Sequence, residues 1–329
     1  MSGLTDPDTI AAMLAGPATP IVRYDFDHRI GPNFTTDCRL HYTPNPDPAP
    51  ALPVLRRGHF REAAKEARNA AVAHHASAQA QDVKEEKEGL AARPDPDFLF
   101  THGRGSRLDA PAIVAFSEGF ARTQCMLSFS DDRTHNERAT TFRALQNQFP
   151  SITAIGGRSM GAQAAARAQL YGPAKKAVFF SYPLVRGVTI REEELLAIEA
   201  DVDVLFIIGD EDPMAQELHF RAVRSRMRCR TWWMKVKRGD HSLFFDANFG
   251  RKRIGMCNVI GQIAAMWSAR RDAQRTELTV DWEGSDEDGH PVWTDWNAAV
   301  PDPPLRATRF NVSVLGQPLP GGGFTFALQ

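Results

Sequence analysis

The segment Ile152-Thr153-Ala154-Ile155-Gly156-Gly157-Arg158-Ser159-Met160-Gly161 decides how this chain folds. Its first four residues predict a short buried strand, and the alanine-rich stretch 162–170 that follows predicts a helix. A serine therefore lies at the turn between a strand and a helix. The glycines two residues before and two residues after Ser159 allow strand and helix to pass closely, so that the serine hydroxyl projects above the sheet.

Outward from this segment, strand-like and helix-like patterns alternate along the chain. Six apolar runs predict buried strands, at residues 98–101, 125–129, 152–155, 177–181, 204–208 and 231–236. Helical patterns separate these runs, which predicts an α/β protein with a mostly parallel, doubly wound sheet covered by helices on both faces. Residues 21–26 predict one further strand at an edge of the sheet.

The two ends of the chain differ from this core in composition. We therefore predict three zones: an N-terminal extension (1–97), an α/β core (98–271) and a C-terminal extension (272–329). Within the first zone, residues 59–92 are rich in alanine and charge after a proline-rich stretch, which predicts one long helix or two short ones. Within the last zone, residues 309–315 and 323–328 alternate like two short strands. This tail would be either a packed β-extension or a partner-binding arm.

Charge and composition argue against several classes of function. The 39 lysines and arginines nearly balance 40 aspartates and glutamates, for a net charge of -1, which is not typical of nucleic-acid-binding or polybasic membrane-anchored proteins. No stretch of about 18 apolar residues predicts a membrane helix, and the first twenty residues lack the features of a signal peptide. The four cysteines form no C-x-x-C pair. We expect an intracellular protein, cytoplasmic or nuclear, that binds neither nucleic acid nor membrane.

The chemistry is predicted to centre on Gly157-Arg158-Ser159-Met160-Gly161, which fits the G-x-S-x-G pattern of a nucleophile elbow. Ser159 is the predicted nucleophile. The backbone N–H of Met160, at the helix start, would face the oxyanion that forms during acyl transfer. The alternative interpretation is a glycine-rich turn whose serine only caps the helix.

A second oxyanion donor is expected from Thr101-His102-Gly103-Arg104-Gly105, which follows the predicted strand at 98–101. The donor would be the backbone of Arg104, or that of Gly103 if the loop is tighter. His102 itself is predicted to be a structural hydrogen-bonding residue rather than a proton shuttle.

A general base and an orienting acid are predicted in two later loops, in the chain order serine, acid, histidine. The loop Gly209-Asp210-Glu211-Asp212-Pro213 is dense in carboxylates, and Gly239-Asp240-His241-Ser242 supplies the base His241. We select Asp212 as the acid because the glycine and proline around it make it the loop apex. Asp210 is the second choice, and Glu211 would point to solvent. Parallel strands bring these loops to one edge of the sheet.

Two further pairs have structural interpretations beside functional ones. Asp131-Asp132 would line a pocket, form part of a metal site or cap the next helix; the last is expected because no histidine cluster accompanies the pair. Trp232-Trp233 is expected to pack with one ring inward and one outward. The serine chemistry requires no metal and no cofactor.

Over residues 98–270 the chain resembles the testis-expressed-30 / non-specific-lethal-complex-subunit-3 group of α/β-hydrolases, related to dienelactone hydrolases. The resemblance rests on residues 98–103, 156–161, 205–209 with Asp212, and 239–242. It implies an α/β-hydrolase fold with a minimal cap and the catalytic residues Ser159, Asp212 and His241. Some members of this group have lost triad residues and serve as complex subunits, whereas this chain keeps all three.

The expected function is therefore that of a serine hydrolase that cleaves a small or exposed ester or thioester. Only about 22 residues separate the predicted strands ending at 181 and beginning at 204, where many esterases insert a lid. The pocket walls would then come from the loops 104–109, 131–137 and 182–189. The alternative is a catalytically silent interaction module, a protein-complex subunit whose terminal extensions bind protein partners.

Overall fold

The computed structural model describes residues 21–31, 34–44, 93–187, 189–243, 250–274, 276–285, 289–294 and 296–297. The helix predicted at 59–92 and the tail strands predicted at 309–315 and 323–328 lie outside these residues, so they stay predictions.

A ten-stranded sheet forms the centre of the described chain. In chain order the strands are β1 (Val22–Gly31), β2 (Phe34–Tyr42), β3 (Phe98–Thr101), β4 (Met126–Phe129), β5 (Ala154–Arg158), β6 (Lys176–Phe180), β7 (Val185–Arg186), β8 (Thr189–Ile190), β9 (Asp203–Gly209), β10 (Arg230–Val236), β11 (Glu277–Glu283) and β12 (His290–Trp293). The sheet order is β1-β2-β4-β3-β5-β6-β9-β10-β11-β12, and β7 and β8 form a separate hairpin. Pairing is parallel from β4 through β11 and antiparallel at both edges.

Helices cover both faces of this sheet, as the alternating pattern predicts. They are α1 (Pro111–Ala121), α2 (His135–Gln148), α3 (Met160–Gln169), α4 (Glu193–Ala197), α5 (Glu217–Arg224) and α6 (Gly250–Ala269). Residues of α1 and α6 join one apolar core, and residues of α2, α3 and α5 join a second core on the opposite face. None of the described helices combines the length and the apolar character needed to cross a bilayer.

The sheet extends beyond the predicted core range 98–271 at both edges. The strand predicted at 21–26 exists as β1 and continues to Gly31, where it pairs with the unpredicted β2. At the other edge, β11 pairs in parallel with β10, and β12 pairs with β11. Strands β2 and β11 escaped prediction because their apolar residues alternate with polar ones, whereas the six strands predicted in the core are continuous apolar runs.

The presence of β11 corrects the expectation for the tryptophan pair on β10. Trp232 and Trp233 are only 1% and 2% exposed, so neither ring points outward into solvent. They lie in the two different apolar cores, on opposite faces of the sheet. A strand inside a doubly covered sheet buries both of its faces.

Little chain lies between β6 and β9, where a lid domain would be inserted. The described residues of this segment form the short β7–β8 hairpin and the five-residue helix α4. The carboxyl ends of the central strands are therefore not covered by a domain inserted at this point.

His41 on β2 makes stability depend on pH. His41 is 1% exposed, and neither of its ring nitrogens has a hydrogen-bond partner in the described part of the chain. Burial, with the nearby Arg39 and Arg23 cations, lowers the pKa of His41 from 6.5 to about 3. Between these two values the unfolded chain binds a proton that the folded chain excludes, so the free energy of unfolding is expected to fall as the pH is lowered from 6.5 towards 3.

Urea denaturation at a series of pH values measures this dependence. The variant His41→Leu is expected to show a shallower loss of stability over the same pH range. Equal slopes for the wild type and the variant would contradict this assignment.

Candidate active site

Ser159 occupies a strained turn between β5 and α3. Its backbone angles are φ 52° and ψ −117°, in a region that non-glycine residues rarely adopt. A Cβ atom at Gly157 would lie 2.3 Å from the backbone carbon of Gly161, and one at Gly161 would lie 2.6 Å from the His102 carbonyl oxygen. The strand and the helix thus pass too closely for a side chain at Gly157, and the end of β3 and the loop after it lie too close to the helix for one at Gly161. The Ser159 side chain makes no capping hydrogen bond, which rules out the interpretation of a helix-capping serine.

Ser159, His241 and Asp212 form one line of hydrogen bonds. The Ser159 Oγ lies 2.9 Å from His241 Nε2, and His241 Nδ1 lies 2.9 Å from Asp212 Oδ2. The other carboxylate oxygen, Asp212 Oδ1, accepts a hydrogen bond of 2.8 Å from the backbone N–H of Met214. Three loops at the carboxyl ends of β5, β9 and β10 therefore converge, as parallel strands require.

The structure separates the two candidate acids, for a reason different from the expected one. Asp212 is 3% exposed and turned inward, so it is not an exposed loop apex. The Asp210 carboxylate instead accepts a hydrogen bond of 2.6 Å from the Arg238 backbone N–H and forms an ion pair with Lys237. Asp210 is thus used to join the loops that follow β9 and β10, and only Asp212 contacts His241. Glu211 is exposed, as expected.

Backbone donors lie beside the serine hydroxyl. A Cβ atom at Gly103 would lie 3.2 Å from the Ser159 Cβ, which places the Gly103 backbone directly against the elbow. The N–H groups of Gly103, Arg104 and Met160 donate no hydrogen bond to the described part of the chain. Met160 begins α3, where an N–H group has no acceptor within the helix. An oxyanion site requires backbone donors without an internal acceptor close to the serine hydroxyl.

His102 holds this loop through both of its ring nitrogens. Nδ1 lies 2.7 Å from the Gly103 carbonyl oxygen, and Nε2 lies 3.0 Å from Ser130 Oγ and 3.3 Å from the Asp131 backbone nitrogen. Because a backbone N–H only donates, Nε2 is the acceptor and Nδ1 carries the proton. Burial also lowers the pKa of His102, which keeps the ring neutral. These contacts fit the structural role expected for His102.

Arg158, the residue before the serine, lies buried below the loop that bears His241. Its Nη2 is 3.5 Å from the His241 carbonyl oxygen, and its guanidinium lies 5.8 Å from the centre of the Phe180 ring. Burial lowers the pKa of the Arg158 guanidinium. Arg158 belongs to the G-x-S-x-G pattern and was expected to support the site, but the pattern does not indicate this contact with the His241 carbonyl.

The expectation that the Asp131-Asp132 pair caps the next helix is wrong. Thr134 is the N-cap of α2 and forms a capping box with Glu137. Asp131 is buried and binds the backbone and guanidinium of Arg133 and the hydroxyl of Thr141. The pattern Thr134-x-x-Glu137 was the available signal for the true cap. The described residues include no group of three His, Cys, Asp or Glu side chains arranged to hold a metal.

A cavity of about 500 Å³ lies beside residues 101–105, the predicted source of the second oxyanion donor (the oxyanion loop). It opens between β1, β2 and two loops, at residues 107–109 and 130–132. These loops overlap two of the three segments that were predicted to form the pocket walls, 104–109 and 131–137. Its polar lining includes five aspartates: Asp25, Asp27, Asp37, Asp109 and Asp132. One wall residue, Ser130, is hydrogen-bonded to His102, so the cavity adjoins the residues that hold the oxyanion loop.

A parallel sheet with a strand–serine–helix elbow and later acid and histidine loops defines the α/β-hydrolase fold, and this chain has that fold. The family model described as an alpha/beta hydrolase domain matches residues 129–268. This range contains Ser159, Asp212 and His241. No curated protein matches the chain. The finer resemblance to the testis-expressed-30 / non-specific-lethal-complex-subunit-3 group stays a prediction.

Solved structures similar to this chain include several hydrolases. The esterase domain of a Rhodothermus marinus protein is 12% identical, with a TM-score of 0.46, over 75% of this chain and 97% of that one. A lidless α/β serine hydrolase from Xanthomonas campestris is 13% identical, with a TM-score of 0.46, over 78% and 100%. An alpha-beta serine hydrolase homologue from Coxiella burnetii is 10% identical, with a TM-score of 0.47, over 73% and 96%. Likenesses this distant carry no information about the substrate.

Proposed function

We propose that the protein is a serine hydrolase that cleaves a small or exposed ester or thioester. The observation that carries the proposal is the hydrogen-bonded line from the Ser159 hydroxyl through His241 to the buried Asp212 carboxylate. A serine hydroxyl is a weak nucleophile at neutral pH, and it becomes reactive when an adjacent base removes its proton in the attack. His241 Nε2 is the only ring nitrogen of the pair that contacts the hydroxyl, and Asp212 holds the opposite nitrogen.

In the first half of the reaction, Ser159 Oγ forms a bond to the substrate carbonyl carbon while its proton moves to His241 Nε2. The carbonyl oxygen becomes an oxyanion, which accepts hydrogen bonds from the backbone N–H of Met160 and of Arg104 or Gly103. The intermediate then breaks its C–O or C–S bond. The departing alcohol or thiol takes the proton from His241, and the acyl group stays on Ser159.

In the second half, water replaces the leaving group. His241 accepts a proton from the water as the water oxygen bonds to the acyl carbon, and it returns that proton to Ser159 Oγ as the acyl bond breaks. Asp212 keeps the imidazole in the tautomer with its proton on Nδ1 and stabilises the imidazolium that forms at each step. The carboxylic acid leaves, and the enzyme regains its starting state without a cofactor.

The surroundings of the elbow support this choice of substrate class. The segment between β6 and β9 holds only the β7–β8 hairpin and α4, so it adds no enclosing domain around a long acyl chain. Ser159 is partly exposed, and a polar cavity lies beside the oxyanion loop. These features favour a small or exposed ester or thioester over a buried lipid chain.

Labelling with a fluorophosphonate probe tests this proposal. The wild-type protein is expected to form a stable adduct at Ser159, since the probe reacts only with serines activated in this way. His241→Ala is expected to lose labelling because the base is gone, although Ser159 is unchanged. A folded wild-type protein that shows no labelling would contradict the proposal and favour a catalytically silent interaction module.

A further inference from the structure

Arg138 is a buried cation that donates a hydrogen bond to the backbone of the oxyanion loop. It lies near the start of α2 and is 0% exposed. Its Nη1 donates a hydrogen bond of 2.6 Å to the His102 carbonyl oxygen, and its Nε donates one of 3.1 Å to the Arg133 carbonyl oxygen. Its Nη2 has no hydrogen-bond partner among the described residues. Asp131, whose negative charge also acts on Arg138, forms its ion pair with Arg133.

The burial of the Arg138 guanidinium has a cost in folding free energy. Burying a charge requires compensation by ion pairs or strong hydrogen bonds. Arg138 donates its side-chain hydrogen bonds to two backbone carbonyls and to no described carboxylate, whereas the charges of Asp131 and Asp132 act on it without such a bond. A cation in the dry interior acts strongly on nearby charge because the local dielectric constant is low.

The stereochemistry of the peptide bond connects Arg138 to the reacting oxygen. The His102 carbonyl and the Gly103 N–H belong to the same peptide unit, and the described chain contains no cis peptide. In a trans peptide the C=O and N–H bonds point in opposite directions. The guanidinium therefore fixes the direction of the Gly103 N–H, on the residue that lies directly against Ser159.

The next peptide unit is held in the same way, through its carbonyl. The Gly103 carbonyl accepts hydrogen bonds from His102 Nδ1 at 2.7 Å and from the Ser106 backbone N–H at 3.3 Å. These bonds fix the direction of the Arg104 N–H. Both candidate oxyanion donors are thus oriented by groups that bind the carbonyl of the same peptide.

We propose that Arg138 is a positioning residue for oxyanion stabilisation, which rests on the hydrolase function proposed above. By binding the His102 carbonyl it orients the His102–Gly103 peptide and, because a cation at the carbonyl polarises the whole peptide unit, it strengthens the Gly103 N–H as a donor. Its positive charge also attracts the oxyanion through the protein interior. The contribution appears only as negative charge develops on the substrate, so it affects kcat rather than KM.

Steady-state hydrolysis of p-nitrophenyl acetate by Arg138→Met, Arg138→Gln and Arg138→Lys tests this role. Arg138→Met removes the charge and the donor, and kcat is expected to fall by about 30-fold with KM within about twofold, since a direct oxyanion donor is worth about 100-fold or more. Arg138→Gln keeps a donor without charge and should lose about tenfold, whereas Arg138→Lys should recover most of the rate. Arg143→Met, an exposed arginine on the same helix, should match the wild type.

The affinity for phenylboronic acid gives a second readout that a purely structural role would not move. Its adduct with Ser159 places a hydroxyl in the oxyanion site, so this affinity should fall in parallel with kcat across the Arg138 series. If Arg138→Met fails to fold by circular dichroism, Arg138→Gln decides the matter. A folded Arg138→Gln variant with wild-type kcat and wild-type boronate affinity would overturn the inference alone. Absence of hydrolysis by the wild type would overturn the proposed function and this inference together.

Discussion

Replacing Ser159 with alanine is expected to lower kcat for ester hydrolysis by about 10⁶-fold, the scale of loss when the serine of a working triad is removed. Ser159 carries the described hydroxyl that lies 2.9 Å from His241 Nε2, so the substitution removes the predicted nucleophile. The measurement is the steady-state rate with p-nitrophenyl acetate, together with circular dichroism to establish that the variant folds. Alanine is smaller than serine and should fit the elbow.

Ser181 provides the matched control for this experiment. It follows β6, the strand next to β5, and like Ser159 it has a positive φ, of 48°. It is fully buried, and its hydroxyl makes no hydrogen bond. Ser181→Ala is therefore expected to leave kcat within about threefold of the wild type, since surroundings rather than the backbone angle alone activate a serine. Equal activity of Ser159→Ala and Ser181→Ala would refute the assignment of Ser159.

Asp212→Asn is expected to lower kcat by about 10⁴-fold, as when the orienting acid of a triad becomes an amide. The backbone N–H of Met214 donates to Asp212 Oδ1, so an asparagine would keep its oxygen there and turn its NH₂ group towards His241 Nδ1. That nitrogen would then have to accept a hydrogen bond, which moves the imidazole proton to Nε2. In this tautomer Nε2 donates to Ser159 and is unable to receive its proton.

Asp210→Asn is the control for Asp212→Asn, because the two residues lie in one loop and each substitution removes one negative charge. The Asp210 carboxylate contacts the Arg238 backbone and Lys237, and it does not contact His241. We expect its kcat to stay within about threefold of the wild type, with at most a small loss of stability from the exposed ion pair. A large loss of rate in Asp210→Asn, with little in Asp212→Asn, would reverse the assignment of the acid.

Much of the candidate site could be predicted because its signals are local in sequence. The glycines around Ser159 leave a clear pattern, since a strained elbow tolerates no side chain at either position. The alternation of apolar runs and helical patterns predicted a mostly parallel central sheet. It therefore also predicted that the loops after these strands meet at one edge of the sheet. His241 followed from the same reasoning, as the histidine in the loop after the strand next to that of the acid.

The local sequence does not indicate which partners Asp210 and Asp212 meet, so the choice of Asp212 depended only on its position in the loop. Both carboxylates lie in the same loop with the same composition around them. What distinguishes them is the direction of each side chain, which depends on partners such as Met214, Arg238 and His241 that only the folded loops bring together. The strands β2 and β11, each one place in from an edge of the sheet, also escaped prediction, because a strand whose apolar residues alternate with polar ones is stable only when neighbours pair with it.

By itself, therefore, the sequence determined the α/β class, the elbow at Ser159 and the chain order of serine, acid and histidine, because each of these depends on the spacing of residues along the backbone. The tertiary structure alone decided how Ser159 and Asp212 meet His241, how the Asp131 backbone fixes the His102 tautomer and where Arg138 places its charge. These features depend on hydrogen bonds between residues 29 to 82 positions apart. Such contacts form only when distant loops converge in the folded chain, so no pattern in neighbouring residues records them.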